Sequence, residues 1–435
     1  MDSRALTKIH ALALAAVIVV AALGGAVAYV LWNGSAQRTE TIRIGVCADL
    51  DMPQGKDTWQ GAVLAAEQLN AGGGLLGRNV TIVAEDDDSE SGPDIAIASN
   101  AMTKLITVDK ADYIISGFQF LIQYQDICAE HKKILLAVTN TVDNYTQRVI
   151  DDYAKYKYCF RTAPGNLTTA NLGMSGEIVT LGNYTGFTKV AFLSQDFGAS
   201  SRQMAATITS SISKYGMEVV YTGYVPLTTT DFTSYFAAIE ESGAQILFPI
   251  IVNEAARTLV TEWHDRQSPF VLWGVMWLAA ESNFWTLTEG KCDTVTFAGS
   301  PAVAGYPLTN KTLPFRDAYV QRWGEVPTDA AIGAYDALRF ILSDSIERAG
   351  TTDADAVIRA LETVNVETTD ARHFVFTSSH DVMVGAINDP TSGYGVMCNF
   401  QWQNGTQVPV KPESIMKEAG ATYKYPPWHG PWDTE

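Results

Sequence analysis

The chain has 435 residues, 47% of them hydrophobic and 18% charged, so it can bury sizeable cores and is not a disordered polymer; its length predicts two or three globular units. Lys and Arg number 30 against 48 Asp and Glu, a formal charge of -18 that would repel a phosphate backbone or an anionic membrane surface and so excludes nucleic-acid binding. A mean hydropathy near zero in so acidic a chain implies that apolar character is concentrated somewhere.

It is concentrated at the start. Ile9 to Trp32 is a run of 24 residues without a charge. As a helix it spans about 36 Å, against a hydrocarbon core of about 30 Å. Arg4 and Lys8 precede it, which places the N-terminus in the cytoplasm and the remainder outside. A cleaved signal peptide is the competing reading, since Ala26-Val27-Ala28 resembles a cleavage site. The membrane anchor is preferred because the apolar run continues through Tyr29, Val30, Leu31 and Trp32. Both readings export the rest of the chain, and no Cys near residue 33 could take a lipid.

A polar linker, 33–40, reaches at most about 28 Å. Strand-like and helix-like patterns then alternate: a strand at Ile42 to Cys47, a helix at Asp57 to Asn70 with Ala62, Ala65, Ala66 and Leu69 on one side, a strand at Val80 to Ala84, a helix at Ile95 to Leu105, and strands at Tyr113 to Ile115 and Ile134 to Val138 around a further helix. Short apolar strands separated by helices indicate a parallel sheet covered on both faces. Tyr158 to Pro164 reads as a crossing into a second unit. There the rhythm restarts, with strands at Val190 to Ser194, Glu218 to Tyr221, Ile246 to Ile251 and Val271 to Trp273, and helices at Ser200 to Lys214, Phe232 to Glu241 and Glu254 to Asp265. Pro327 to Gly350 is a long helical stretch stopped by Gly350, and Asp353 caps a helix to Thr363. Tyr425 to Trp432, rich in Pro and Trp, is expected to be a strap packed on one lobe.

Asn-x-Ser/Thr sequons stand at Asn33, Asn79, Asn144, Asn166, Asn183, Asn310 and Asn404. Chance would give roughly two or three, so the excess points to a glycosylated outer surface. The five cysteines, Cys47, Cys128, Cys159, Cys292 and Cys398, lack C-x-x-C spacing, and one is left over in a monomer. Cys47 reads as a buried small hydrophobe.

The catalytic motifs are weak. Gly72 to Asn79 has P-loop-like glycines, but Arg78-Asn79 replaces the Lys-Ser/Thr that phosphate and magnesium need. Ser211-Ile212-Ser213-Lys214 has the S-x-x-K spacing of acyl enzymes but ends a helix without the partner motifs. His10, His131, His264, His373, His380 and His429 show no zinc spacing. Asp86-Asp87-Asp88 follows a strand and reads as a solvated loop or a cleft edge. No cofactor, no metal and no catalytic residue is expected; a hydrolase using Cys128 or Ser211 is a remote alternative.

The succession of Gly45, Pro53-Gln54-Gly55, Gly61 to Asn70 and the run GGGLLGRNVTIVAEDDD from Gly72 to Asp88 carries more weight. It is joined, in order, by Ala101 to Ile115, Phe160-Arg161-Thr162-Ala163-Pro164, Lys189 to Gly198, Thr230-Asp231-Phe232 and Ala334-Tyr335-Asp336-Ala337. From residue 41 onward the chain resembles the type 1 solute-binding proteins of ABC transporters, the leucine/isoleucine/valine-binding family. The resemblance implies two doubly wound parallel-sheet α/β lobes joined by a three-crossover hinge, here preceded by the N-terminal helix. Lobe one would hold 41–161 and 300–372, and lobe two 162–299 and 373–435. The implied function is delivery of a small solute, an amino acid or a related neutral or apolar compound, to an ABC permease and ATPase. A ligand-sensing ectodomain acting through a separate signalling partner is the alternative.

Ligand groups are expected on loops at the carboxyl ends of strands. These are Phe118, Gln119, Phe120, Thr139 and Asn140 in lobe one, and Asp196, Phe197, Asn253, Met276, Trp277 and Glu281 in lobe two. Amino-acid binders usually place hydroxyls where Gln119 and Phe120 stand, an acid near Met276, and a Tyr at Phe197. Either Thr139, Asp196 or Glu281 holds a zwitterion instead, or the ligand is neutral and more apolar; the second is preferred, because a buried charge without partners costs several kcal/mol.

Overall fold

The computed structural model describes residues 41–89, 94–117, 120–162, 165–384 and 398–429. The apolar segment 9–32, the linker with Asn33, the site candidates Phe118 and Gln119, and the end of the C-terminal strap lie outside the described residues. Among those described, no helix is long and apolar enough to cross a membrane.

Five strands, β1 (Ile42–Ala48), β2 (Val80–Asp86), β3 (Tyr113–Ser116), β4 (Ile134–Ala137) and β5 (Cys159–Arg161), form a sheet in the order β2-β1-β3-β4-β5. Every pairing is parallel. β3 and β4 are buried at all their residues, as strands covered on both faces must be. The covering helices include α1 (Pro53–Ala71), α2 (Ile95–Thr107), α3 (Leu121–Glu130) and α4 (Asp143–Asp151). The small-residue stripe expected on α1 is buried, with Ala62 and Ala65 fully enclosed. Its reason is close packing: a Cβ on Gly61 would lie 2.1 Å from the Ala331 carbonyl oxygen.

The second sheet holds β6 (Lys189–Gln195), β7 (Glu218–Val225), β8 (Ile246–Ile251), β9 (Val271–Met276), β10 (Thr296–Gly299), β11 (Cys398–Gln403) and β12 (Thr406–Lys411), in the order β12-β11-β10-β9-β8-β6-β7. Pairings among β6 to β10 are parallel, and β11 and β12 add antiparallel. The hairpin between them turns at Asn404-Gly405, with φ of 52° and 81°. That is the two-residue turn Asn-Gly favours. Sequence reading took Asn404 only as a sequon and missed the hairpin. Helices α5 (Leu167–Thr185), α6 (Ala199–Ile212), α7 (Thr233–Glu241) and α8 (Ala255–Arg266) accompany this sheet.

The chain passes between the two sheets three times. It leaves the first after β5, returns after β10, and leaves again between Val384 and Cys398. In the returning stretch, α9 (Thr312–Trp323) buries Phe315 and Tyr319 in the first core. The expected long helix is α10 (Asp329–Asp336) running through a π-type turn at Ala337–Leu342 into α11 (Ser343–Ala349). Gly350 ends it in the left-handed conformation, φ 64°, and Asp353 caps α12 (Ala354–Leu361) by accepting from Ala356 N at 3.0 Å.

The boundary expected at residue 373 is displaced. Phe374, Phe376 and Val382 belong to the first core, where Phe376 lies 5.0 Å from the ring of Phe160. Aromatic burial against β5 outweighs the sequence's proximity to the second sheet. The strap packs as expected: Trp428 sits edge-on to Trp263 at 4.9 Å and donates from Nε1 to Ser268 O at 3.1 Å. All five cysteines are buried and free.

The passages are tied by polar contacts. Arg161, fully buried, sets Nε 3.1 Å from Asp381 Oδ1 and donates to the carbonyls of Asn140 and Val142. Asp381 Oδ2 accepts from Thr146 Oγ1 at 3.1 Å and Asn166 Nδ2 at 3.0 Å. One carboxylate thus joins the outgoing passage, the third passage and the start of α5. At the returning passage, Ser300 Oγ donates to Asp370 Oδ2 at 2.7 Å. Burial, and then Asp336 nearby, push the Asp370 carboxyl up to about 8.

Candidate functional site

Side chains at the carboxyl ends of parallel strands stand where strand gives way to helix, free of the ladder. At that edge of the first sheet, β1 runs into α1 and the ends of β3 and β4 lie beside it. Ala48, Asp49, Gln54, Gly55, Thr58, Gly117 and Thr139 line a small recess of about 10 Å³, free room for roughly one water, at the edge of open solvent.

Two glycines make it. A Cβ on Gly55 would fall 1.8 Å from the Asp49 carbonyl oxygen, and one on Gly117 would fall 1.9 Å from Thr139 Oγ1. Thr139 Oγ1 is itself buried and has no hydrogen-bond partner among the described residues. Such a group costs free energy unless something completes it. Thr58 Oγ1 turns back onto Gln54 O at 2.9 Å.

The neighbouring β2 end is acidic. Asp86 Oδ1 accepts from the backbone of Leu50 and Asp88, both at 3.2 Å. Asp87 accepts from Tyr124 OH at 2.6 Å and Ser89 N at 3.1 Å. The Asp88 carboxyl is pushed up by desolvation and then by Asp86, Asp49, Asp51 and Asp87. Among the described residues, no group of three or more His, Cys, Asp or Glu is arranged to hold a metal ion.

Of the residues expected in lobe one, Thr139 lines the recess. Asn140 is a turn residue, its Oδ1 accepting from Val142 N at 2.8 Å. Phe120 is half-buried at the start of α3 and packs against the first core.

In lobe two, Asp196 is exposed and held bidentate by Arg202 at 2.6 and 3.1 Å. Arg202, then the Gly198 N–H, hold its carboxyl down at about 2. Phe197 is 39% and Trp277 52% exposed, unusual for aromatics of their size. Glu281 is exposed, its carboxyl pushed up by partial burial and by Glu254.

One expectation fails. Met276 is fully buried in the second core, because it shares the face of β9 that carries Leu272 while Val271 and Trp273 point the other way. Asn253 is exposed just beyond β8 and also ties loops together: Oδ1 accepts from Gln195 Nε2 at 2.8 Å and Ala255 N at 3.1 Å, and Nδ2 donates to Leu227 O at 2.9 Å. Sequence reasoning missed Asp49, Gln54, Gly55 and Thr58. The signal was there, since the strand-end rule applied to β3 and β4 holds equally for β1.

Two α/β units, three chain passages and a recess at a strand edge define a two-lobed solute binder. A model of the periplasmic binding protein family matches residues 41–387, and the chain belongs to that family. A curated relative, the Leu/Ile/Val-binding protein homolog 3 of Brucella melitensis, is 23% identical over 73% of this chain and 82% of its own length. A solved structure from Silicibacter pomeroyi has a TM-score of 0.78 at 20% identity, covering 90% of this chain and 100% of that one. The substrate-binding protein LivJ of Streptococcus pneumoniae, solved with isoleucine, has a TM-score of 0.65 at 18% identity, covering 86% and 100%.

Proposed function

We propose that this chain is the extracytoplasmic solute-binding component of an ABC importer, trapping a small organic solute between its lobes and handing it to the permease and ATPase. The observation that carries this is the recess at the carboxyl edge of β1, β3 and β4, with the buried Thr139 Oγ1 lacking a partner among the described residues. The loops after β6 and β9, with Asp196, Phe197, Trp277 and Glu281, form the opposing wall. Contacts from both walls exist only when the lobes are closed, so solute shifts the population toward closure about the three passages. Closure is what a permease reads. The isoleucine held by the Streptococcus pneumoniae protein agrees with a small organic solute.

Residues 9–32 act in this reading as a membrane anchor and 33–40 as its tether. The test is thermal unfolding of the purified chain across amino acids, amines, amides and carboxylates. A true solute at 100 times its Kd adds about 2.7 kcal/mol of stability. A flat melting temperature across the panel, with no small molecule released from natively purified protein, would sink the reading.

Asn79, Asn144, Asn183, Asn310 and Asn404 are exposed and form the proposed glycosylated surface, to which Asn33 would add. Asn166 is set apart, because its side chain caps α5 and binds Asp381. Intact mass of natively expressed protein should exceed the sequence mass and fall on enzymatic deglycosylation. An intact mass equal to that of the bare chain refutes this surface.

A further inference from the structure

Two of the three passages meet at one point of the second sheet. Gly299, the last residue of β10, pairs with Cys398, the first of β11, so the chain departs on its return and arrives from its final crossing at neighbouring positions. Ser300, the first residue of the return, is buried. Its hydroxyl accepts from Ala302 N at 3.2 Å and gives its single proton to Asp370 Oδ2 at 2.7 Å. Asp370 Oδ1 is enclosed and has no hydrogen-bond partner among the described residues.

The loop that carries Asp370 is stitched down on both sides. Thr369 donates from N and Oγ1 to Asp336 Oδ2 of α10 at 3.1 and 2.8 Å, while the carbonyls of Thr368 and Thr369 accept from Thr309 Oγ1 at 2.8 Å and Thr312 Oγ1 at 2.6 Å. Asp370 is thus fixed in place. The titratable groups that act on it or feel it are Asp336 and Asp329 of α10 and the Cys398 thiol of β11. The bases nearby are engaged elsewhere: Lys311 donates to Glu367 O and lies 4.1 Å from the centre of the Phe340 ring, and Arg372 is paired with Glu418 at 2.5 and 3.2 Å. An ionised Asp370 would have one hydroxyl donor for about four acceptor sites, in a desolvated place facing a second carboxylate. The neutral acid avoids both penalties, and burial followed by Asp336 moves its titration up to about 8.

We infer that Asp370 is a proton-dependent clasp of the lobe joint: neutral, it holds the returning passage through Ser300, and on losing its proton it releases that passage, so the joint slackens as the medium turns alkaline. This goes beyond the solute-binding reading, which could fail while the clasp stands. An ordinary aspartate in the unfolded chain releases its proton near pH 4, whereas the folded chain keeps it to about 8. The stability it supplies is therefore complete below about pH 4 and is lost as the pH climbs to about 8.

The experiment is urea unfolding of the full chain and of Asp370→Asn, which keeps the shape and cannot ionise, across mildly acidic to alkaline pH. The expected result is a ratio of unfolding constants, wild type over variant, that rises by up to about tenfold per pH unit and levels off near pH 8. Hydrogen exchange reads the clasp itself. The amides of residues 300–305 should exchange at least tenfold faster in wild type than in Asp370→Asn at alkaline pH, and alike at mildly acidic pH. A ratio that stays flat, or amides that exchange alike in the two proteins at alkaline pH, overturns the inference. If Asp370→Asn fails to fold, carbon NMR of the wild-type carboxyls serves instead. An aspartate carboxyl that titrates above neutral pH and whose midpoint falls in Asp336→Asn, with exchange at 300–305 rising at that midpoint, supports the clasp; the lack of either overturns it.

Discussion

Replacing Asp381 with Ala is expected to cost about 3–5 kcal/mol of stability, the range for removing one partner of a buried ion pair. The mutation leaves Arg161 fully buried and without its counter-ion, and it also strips acceptors from Thr146 and Asn166. Burial already pulls the Arg161 guanidinium down, with Asp381 opposing that pull. The uncompensated charge, more than the lost attraction, is therefore what destabilises. Asp381→Asn keeps the shape and an acceptor oxygen, so it should lose less. Urea unfolding followed by tryptophan fluorescence reads both variants. A loss below about 1 kcal/mol for the alanine variant would show that the contact is incidental to how the passages are held.

The second large effect is expected from one added methyl at Gly117. Its Cβ would lie 1.9 Å from Thr139 Oγ1 and 3.1 Å from Thr139 Cβ, so the strand ends must part or Thr139 must turn away. Overpacking of this kind costs about 1–3 kcal/mol. Binding should suffer more than stability, at least tenfold, because the displaced hydroxyl is the one aimed into the recess. The double variant Gly117→Ala with Thr139→Ala removes the oxygen that clashes. It should recover part of the stability and none of the affinity, a coupling that separates steric strain from a ligand contact. Wild-type affinity in Gly117→Ala would refute the placement of the site.

Much of the fold was legible in the sequence because its signals are local. Apolar runs gave the parallel strands, the spacing of Ala62, Ala65 and Ala66 gave the buried face of α1, and Gly350 and Asp353 gave a stop and a cap. The features that escaped sequence reading depend on contacts far apart in the chain. The first core claims Phe374 and Phe376 through packing on Phe160, more than 200 positions earlier, and no periodicity announces that. The candidate site divides the same way. Thr139 followed from the strand-end rule, whereas Met276 failed because the register of β9 turns it inward and exposes its neighbour Trp277. Asp49 went unremarked because a lone acid after a strand carries no signal until the sheet sets it beside Thr139.

The order in which the chain visits its two sheets has a consequence for synthesis. The first core is complete only once Phe374, Phe376 and Val382 have been made, and the second sheet lacks two edge strands until β12 closes at Lys411. A chain emerging from its N-terminus therefore offers no finished unit until nearly its whole length is out, with β10 meanwhile exposing an unpaired edge.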